Sequence, residues 1–106
     1  MRRVRRLNPA HLRLVRALPC IACEMTGEQQ TSPTEAHHIK RDETGQTYGT
    51  GQKAHDDETI PLCHYHHWNG VGSGFTHRSF EAEFGNERDL LARTLETLGI
   101  TKGEAA

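Results

Sequence analysis

Apolar residues recur at helical spacing near the start of the chain, where Leu12, Val15 and Leu18 make one face of a helix over residues 8–18. Asn8 is suited to cap that helix, Pro9 to occupy its first position, and Pro19 to end it. A tight turn is expected over residues 19–23, followed by a polar stretch broken by Gly27 and Pro33. Residues 35–39 and 59–62 read as short strands, separated by a long loop over residues 42–57 rich in Gly, Thr and charge. A loop that long in a small domain usually has a function. Residues 63–68 then resemble the first turns of a helix, and the glycine-rich residues 69–74 a turn or loop. A helix over residues 77–84 has Thr76 as its cap and Gly85 as its stop. The last helix, residues 87–98, is capped by Asn86 and closed by Gly99, and Leu91, Leu95 and Leu98 lie along one side of it. These leucines and Trp68 are assigned to the core.

Composition then limits how such elements can hold together. Only 34% of the 106 residues are hydrophobic and 6% aromatic, a thin supply for one domain. A chain this short and polar usually needs a staple. The cysteines are Cys20, Cys23 and Cys63, and an odd number speaks against a disulfide framework. No apolar run approaches the length of a membrane span. Met1-Arg2-Arg3 is followed by no apolar stretch of the signal-peptide kind. A soluble protein is expected.

The net charge is -1, but its distribution is uneven. Residues 1–19 hold Arg2, Arg3, Arg5, Arg6, Arg13 and Arg16 and no acid. Such an end either contacts phosphate or is a solvated tail. The expected organisation is a basic tail over residues 1–7 and one domain over residues 8–106.

Eight histidines are unusual in so short a chain, and they cluster. Cys20-x-x-Cys23 and Cys63-x-x-His66 together give the donor set of a structural zinc site. A redox pair or buried free thiols are the alternatives, and no thioredoxin-like pattern accompanies the cysteines. Four ligands close that site, yet His37, His38 and His67 remain. Adjacent residues on a strand face opposite ways, so His37 and His38 can do different jobs. On a helix His67 is turned about 100° from His66 and can serve a second ion. An ion of that kind polarises a phosphate, while a neutral histidine takes a proton from water. The bland alternative is that His37 and His38 are ordinary polar strand residues and that other histidines simply face solvent; His11 and His64 are read as facing solvent.

Glu35-Ala36-His37-His38-Ile39, followed by Ile60-Pro61-Leu62-Cys63-x-x-His66-His67, resembles the HNH endonuclease pattern. Gly49-Thr50-Gly51-Gln52-Lys53, His55-Asp56 and Phe80-Glu81-Ala82-Glu83-Phe84-Gly85 are similar to the phage-type RecA-dependent nucleases, the Ref-type branch. Together these stretches span roughly residues 19–99. The resemblance implies an α+β fold: a small ββα-metal (His-Me finger) core with a zinc knuckle and flanking helices. It implies His38 as general base, and His37 and His67 as ligands of a catalytic Mg²⁺, Mn²⁺ or other transition metal. His77 is a candidate third ligand if the glycine-rich segment folds back. It further implies Cys20, Cys23, Cys63 and His66 as ligands of a structural Zn²⁺, DNA as substrate, and the RecA filament as a partner in recombination. The chain departs from the family in three ways. The Asn of the family name is missing, with Asp56, Asp57 or Glu58 in its place. The second zinc pair is Cys-x-x-His. The basic N-terminal extension is short, which leaves RecA dependence open.

Lys40 and Arg41 follow the first strand where a scissile phosphate would lie, and Gln52 and Lys53 are candidate DNA contacts; a solvated pair is the alternative for Lys40 and Arg41. Asp56 is suited to orient an imidazole. The leading expectation is therefore a metal-dependent DNA endonuclease. The runner-up is a non-catalytic zinc-stabilised nucleic-acid-binding module. A two-zinc module of the RING kind is weaker, because three cysteines cannot supply two closed thiolate sites.

Overall fold

The computed structural model describes residues 5–44, 46–48, 53–68 and 77–100, with residues 77–79 described by their backbone alone. Helix α1 (Pro9–Arg16) starts as its sequence requires: the Asn8 side chain accepts a hydrogen bond from the His11 N–H at 3.1 Å, and proline fills the first turn. Val15 is buried from this helix, and so is His11. The expectation that His11 faces solvent is corrected, because tertiary packing covers a ring that its polarity would have left outside.

The expected tight turn over residues 19–23 is instead the entry to helix α2 (Ile21–Thr26). Cys20 acts as its cap, its sulfur accepting from the Cys23 N–H at 3.4 Å. Gly27 ends the helix at φ +72°, a left-handed conformation that favours glycine. Gln30 then ties this knuckle to the sheet. Its Oε1 accepts from the Cys20 N–H at 2.7 Å and its Nε2 donates to Thr34 Oγ1 at 2.8 Å.

Strands β1 (Thr34–His38) and β2 (Thr59–Cys63) form an antiparallel pair. The register sets Glu35 opposite Leu62, His37 opposite Ile60 and His38 opposite Thr59. Every residue of β2 is buried, as expected of a short apolar run covered on both faces. A helical turn, α3 (His64–His66), follows β2 directly. Helix α4 (His77–Phe84) and helix α5 (Glu87–Leu98) complete the fold, with Asn86 and Gly99 capping α5 at the two ends predicted for it. Thr76, the predicted cap of α4, lies outside the described residues.

Ile21, Ile39, Ile60, Leu62, Phe80, Phe84, Leu90 and Leu91 share one core with the three cysteines, with Leu95 packed against it. Trp68 does not join them. It is 57% exposed, which corrects its assignment to the core. No helix among the described residues is long and apolar enough to cross a membrane.

The segment expected to be a tail is attached from Arg6 onward. The Arg6 N–H donates to His55 Nδ1 at 2.7 Å, the Asp56 N–H donates to the Arg6 carbonyl at 3.0 Å, and the Arg6 guanidinium holds both oxygens of Asp57. The end of the long loop is thus sewn to the chain entering α1.

Candidate functional site

Two groups of side chains flank the sheet. The first is the predicted set Cys20, Cys23, Cys63 and His66, brought together from the cap of α2, the end of β2 and α3. One donor atom from each lies within 4.8 Å of all the others. His66 Nδ1 is 3.7 Å from Cys20 Sγ, 3.5 Å from Cys23 Sγ and 3.3 Å from Cys63 Sγ, and Cys23 Sγ is 3.9 Å from Cys63 Sγ. Zinc bonds of about 2.3 Å to sulfur and about 2.0–2.1 Å to nitrogen give a tetrahedron with edges of about 3.8 Å between sulfurs and about 3.6 Å between sulfur and nitrogen. The observed separations match those edges, so the residues fit the ion.

Their electrostatics point the same way. Burial pushes the Cys23 thiol up to about 12, with hydrogen bonding and charge from Cys20 and Cys63 adding to it. Burial also opposes ionisation of Cys63, but hydrogen bonds from His66 and Ser32 outweigh it and bring that thiol down to about 6. One thiolate forms readily and the next is resisted. A divalent cation would relieve that resistance, and the structure is that of a small α+β protein with a Cys3His group that could hold such an ion.

The second group surrounds the histidines. Glu35 and His37 share one face of β1, as alternate strand residues must. His37 is 2% exposed, and its Nε2 lies 2.7 Å from Oε2 of Glu87, a residue with no exposure at all at the first position of α5. The other oxygen of Glu87 accepts from the Lys40 N–H at 2.9 Å. The His67 ring stands edge-on to the His37 ring with centroids 5.0 Å apart, and its Nδ1 lies 2.8 Å from Glu35 Oε1. Glu35 also takes His64 Nδ1 at 3.0 Å through its second oxygen. The structure therefore brings His37 and His67 together. The side chain of His77, the candidate third ligand, lies outside the described residues, and so do Arg2, Arg3 and Gln52.

His38, the last residue of β1, faces the other way. Its Nε2 is 2.8 Å from Asp56 Oδ1, and Asp56 Oδ2 accepts from the Asn8 N–H at 2.8 Å. Burial lowers the His38 pKa; the hydrogen bond and charge of Asp56 work against that, while Lys53 and Arg5 stand near enough to lower it further. Asp56 is pushed up by burial, but the hydrogen bonds from His38 and Asn8 prevail and hold it below the usual carboxylate range. His37 is likewise lowered, chiefly by burial, with the charges of His67 and Lys40 adding to the effect. Both shifts favour the neutral imidazole.

Of the predicted phosphate-binding cations, Arg5 and Lys53 are near enough for their charges to act on His38, and Lys40 for its charge to act on His37. Arg41 is placed differently: its guanidinium grips both oxygens of Glu81 on α4, at 3.0 and 2.6 Å. Arg6 is engaged in the same manner by Asp57. The partner of His38 is Asp56, one of the acids weighed for the place of the missing Asn. Glu35 and Glu87 were assigned no role from the sequence. Glu35 was detectable, since it stands two residues before His37 on a strand. Glu87 was not, because it is fifty residues away and reads as an ordinary acid in the first turn of a helix.

Comparison with known proteins adds the family. Residues 2–102 match the family described as "Protein of unknown function (DUF968)", and the chain belongs to that family. It is also similar to "Uncharacterized protein YdfU" of Escherichia coli (strain K12), with 30% identity over 95 residues. The match covers 90% of this chain and 24% of that protein, so the chain spans about a quarter of the length of its relative. No solved structure matches.

Proposed function

We propose that this member of the DUF968 family is a metal-dependent DNA endonuclease of the HNH (ββα-metal) type, hydrolysing phosphodiester bonds with His38 as general base. One observation carries the reading. Two adjacent histidines end β1, each fixed by its own buried carboxylate, and the charges of Arg5 and Lys53 act on His38 as that of Lys40 does on His37. Fixing an imidazole on one nitrogen commits the other to a purpose. A protein that only needed its zinc knuckle would gain nothing from holding His37 and His38 in this manner.

With Nε2 held by Asp56, the Nδ1 of His38 is the nitrogen that takes a proton from the attacking water. Asp56 then stabilises the imidazolium that forms. Arg5 and Lys53 hold the phosphate on that side. His37 and His67 are the candidate ligands of a divalent ion, which when bound supplies charge stabilisation to the phosphate and the leaving oxygen. The two histidines face opposite sides of β1, but the strand stops at His38. For both to act, a phosphate must lie across the strand end, between the two. The succession β1, β2, α3, with the last candidate ligand directly after the helical turn, is the order that the HNH-type core requires. Action on DNA in RecA filaments is the finer form of the proposal and rests on the resemblance to the Ref-type branch.

A second reading, a non-catalytic zinc-stabilised nucleic-acid-binding module, draws support from Tyr65 and Trp68. Both rings are exposed beside the zinc ligands, and exposed aromatic rings stack on unpaired bases. Plasmid nicking separates the two. The nuclease nicks with Mg²⁺ or Mn²⁺ and not with EDTA, and a folded, zinc-loaded His38→Ala loses about 10²–10⁴-fold in rate, the worth of a positioned proton transfer. RecA-coated and naked DNA are compared in the same assay. A His38→Ala protein cutting at the wild-type rate would falsify the mechanism.

A further inference from the structure

The buried carboxylate of Glu87 receives two groups at once. Its Oε1 is 2.9 Å from the Lys40 backbone nitrogen, and its Oε2 is 2.7 Å from His37 Nε2. The backbone N–H can only donate, so Oε1 must accept. Glu87 and His37 are both enclosed, at 0% and 2% exposure, which leaves no solvent to substitute for either bond. A carboxylate can satisfy two donors, one on each oxygen. The simplest complete pairing therefore puts the imidazole proton of His37 on Nε2, pointing at Glu87, and leaves the lone pair on Nδ1.

We infer that Glu87 is a positioning residue that locks His37 in its Nε2–H tautomer, so that Nδ1 is the nitrogen His37 presents to a divalent cation. The inference rests on the reading of His37 as a ligand for its purpose, but the tautomer itself does not. The neighbouring ring is set in the opposite sense. His67 is held through Nδ1 by Glu35, which leaves Nε2 as its available nitrogen. The hold on His67 is weaker, because Glu35 is partly exposed and shared with His64.

Glutamine at position 87 reverses this arrangement without removing bulk. An amide has one accepting oxygen and one donating nitrogen. The oxygen is claimed by the Lys40 N–H, since a facing NH2 there would set donor against donor. The NH2 group is then turned toward His37 Nε2, which must become an acceptor. The proton moves to Nδ1, and the lone pair moves from Nδ1 to Nε2, where it is spent on the amide.

The test uses the ¹⁵N-labelled, zinc-loaded full chain. Long-range ¹H–¹⁵N correlation spectra of the imidazoles distinguish a protonated from an unprotonated ring nitrogen. For the wild type at pH 7, the expected result is a protonated Nε2 and an unprotonated Nδ1 at His37. For Glu87→Gln, the expected result is the swapped tautomer, with Mn²⁺ binding by calorimetry weakened about 10–100-fold, the usual cost of losing a group that orients a ligand. A wild-type His37 protonated on Nδ1, or on both nitrogens, overturns the inference, and this measurement decides the matter even if Glu87→Gln does not fold. A folded Glu87→Gln with the wild-type tautomer and wild-type Mn²⁺ affinity overturns it as well. Cleavage is scored separately. A protein with the expected tautomers that never cuts DNA refutes the nuclease and leaves Glu87 in its role. A protein that cuts DNA with unchanged tautomers does the reverse.

Discussion

Replacing Cys63 with serine removes the sulfur at the junction of β2 and α3, the one that touches both the α2 knuckle and the histidine. The expected cost is most of the fold. A structural zinc contributes about 10–16 kcal/mol of apparent binding free energy in zinc-finger peptides. A whole domain is stable by about 5–15 kcal/mol. A zinc ion bound here would thus contribute about as much as the net stability of a domain, and this chain has little else to offset its loss. Three of the thirteen residues in the core cluster are the ligand cysteines themselves. Without an ion they become buried thiols, one of them resisting ionisation up to about 12. Zinc retention should also follow pH with a definite sign. The cysteines bind zinc as thiolates, so protons compete with the ion for them, and metal is released as pH falls. Elemental analysis should find one zinc per wild-type chain and much less in Cys63→Ser. Amide spectra and thermal unfolding should lose their dispersion and cooperativity together with the metal. A Cys63→Ser protein that is zinc-free, well dispersed and melts at the wild-type temperature would refute the reasoning.

Two further outcomes are expected. Asp56→Asn removes the carboxylate that favours protonated His38, so the acid limb of the cleavage pH profile should move to lower pH while the maximal rate falls; a limb that moves upward, or does not move, contradicts the pairing. His11 is fully buried with neither ring nitrogen hydrogen-bonded, and burial lowers its pKa, so the unfolded chain binds the extra proton and stability is lost as pH falls through 6.5 toward the lower folded value. His11→Leu should flatten that dependence and raise stability by about 1–3 kcal/mol in denaturant titrations, the cost of an unsatisfied buried polar group; equal or lower stability would show that the ring is satisfied after all.

What was legible in the sequence was local. Helix α5 carries both its signals, Asn86 and Gly99, within its own span, and the strands announce themselves by short apolar runs. The metal-binding set was legible because two donor pairs at ligand spacing define a closed site wherever the intervening chain runs. The misreadings were of another kind. Cys20 is not a usual helix cap, so α2 was taken for a turn, and only the folded knuckle shows its sulfur receiving the Cys23 N–H. His11 and Trp68 exchanged their expected places because burial is decided by what packs against a residue, not by its own polarity. The pairing of His37 with Glu87 joins β1 to α5, and no pattern within either segment encodes it.

The two groups flanking the sheet are mechanically one. His66 and His67 are consecutive, and the first belongs to the Cys3His set while the second stands against His37. The backbone between them is short and anchored nearby: α3 is a single turn, its first N–H donates to the Pro33 carbonyl at 3.0 Å, and Cys63 immediately precedes it. Whatever fixes His66 therefore fixes His67 to within one residue's reach. Glu35 repeats the link from the other side, since it joins the sheet to both His64 and His67 across the same turn. A zinc ion held here would do more than stabilise a thin core. It would constrain how His67 meets His37, so loss of the ion is expected to disturb the histidine pair as well.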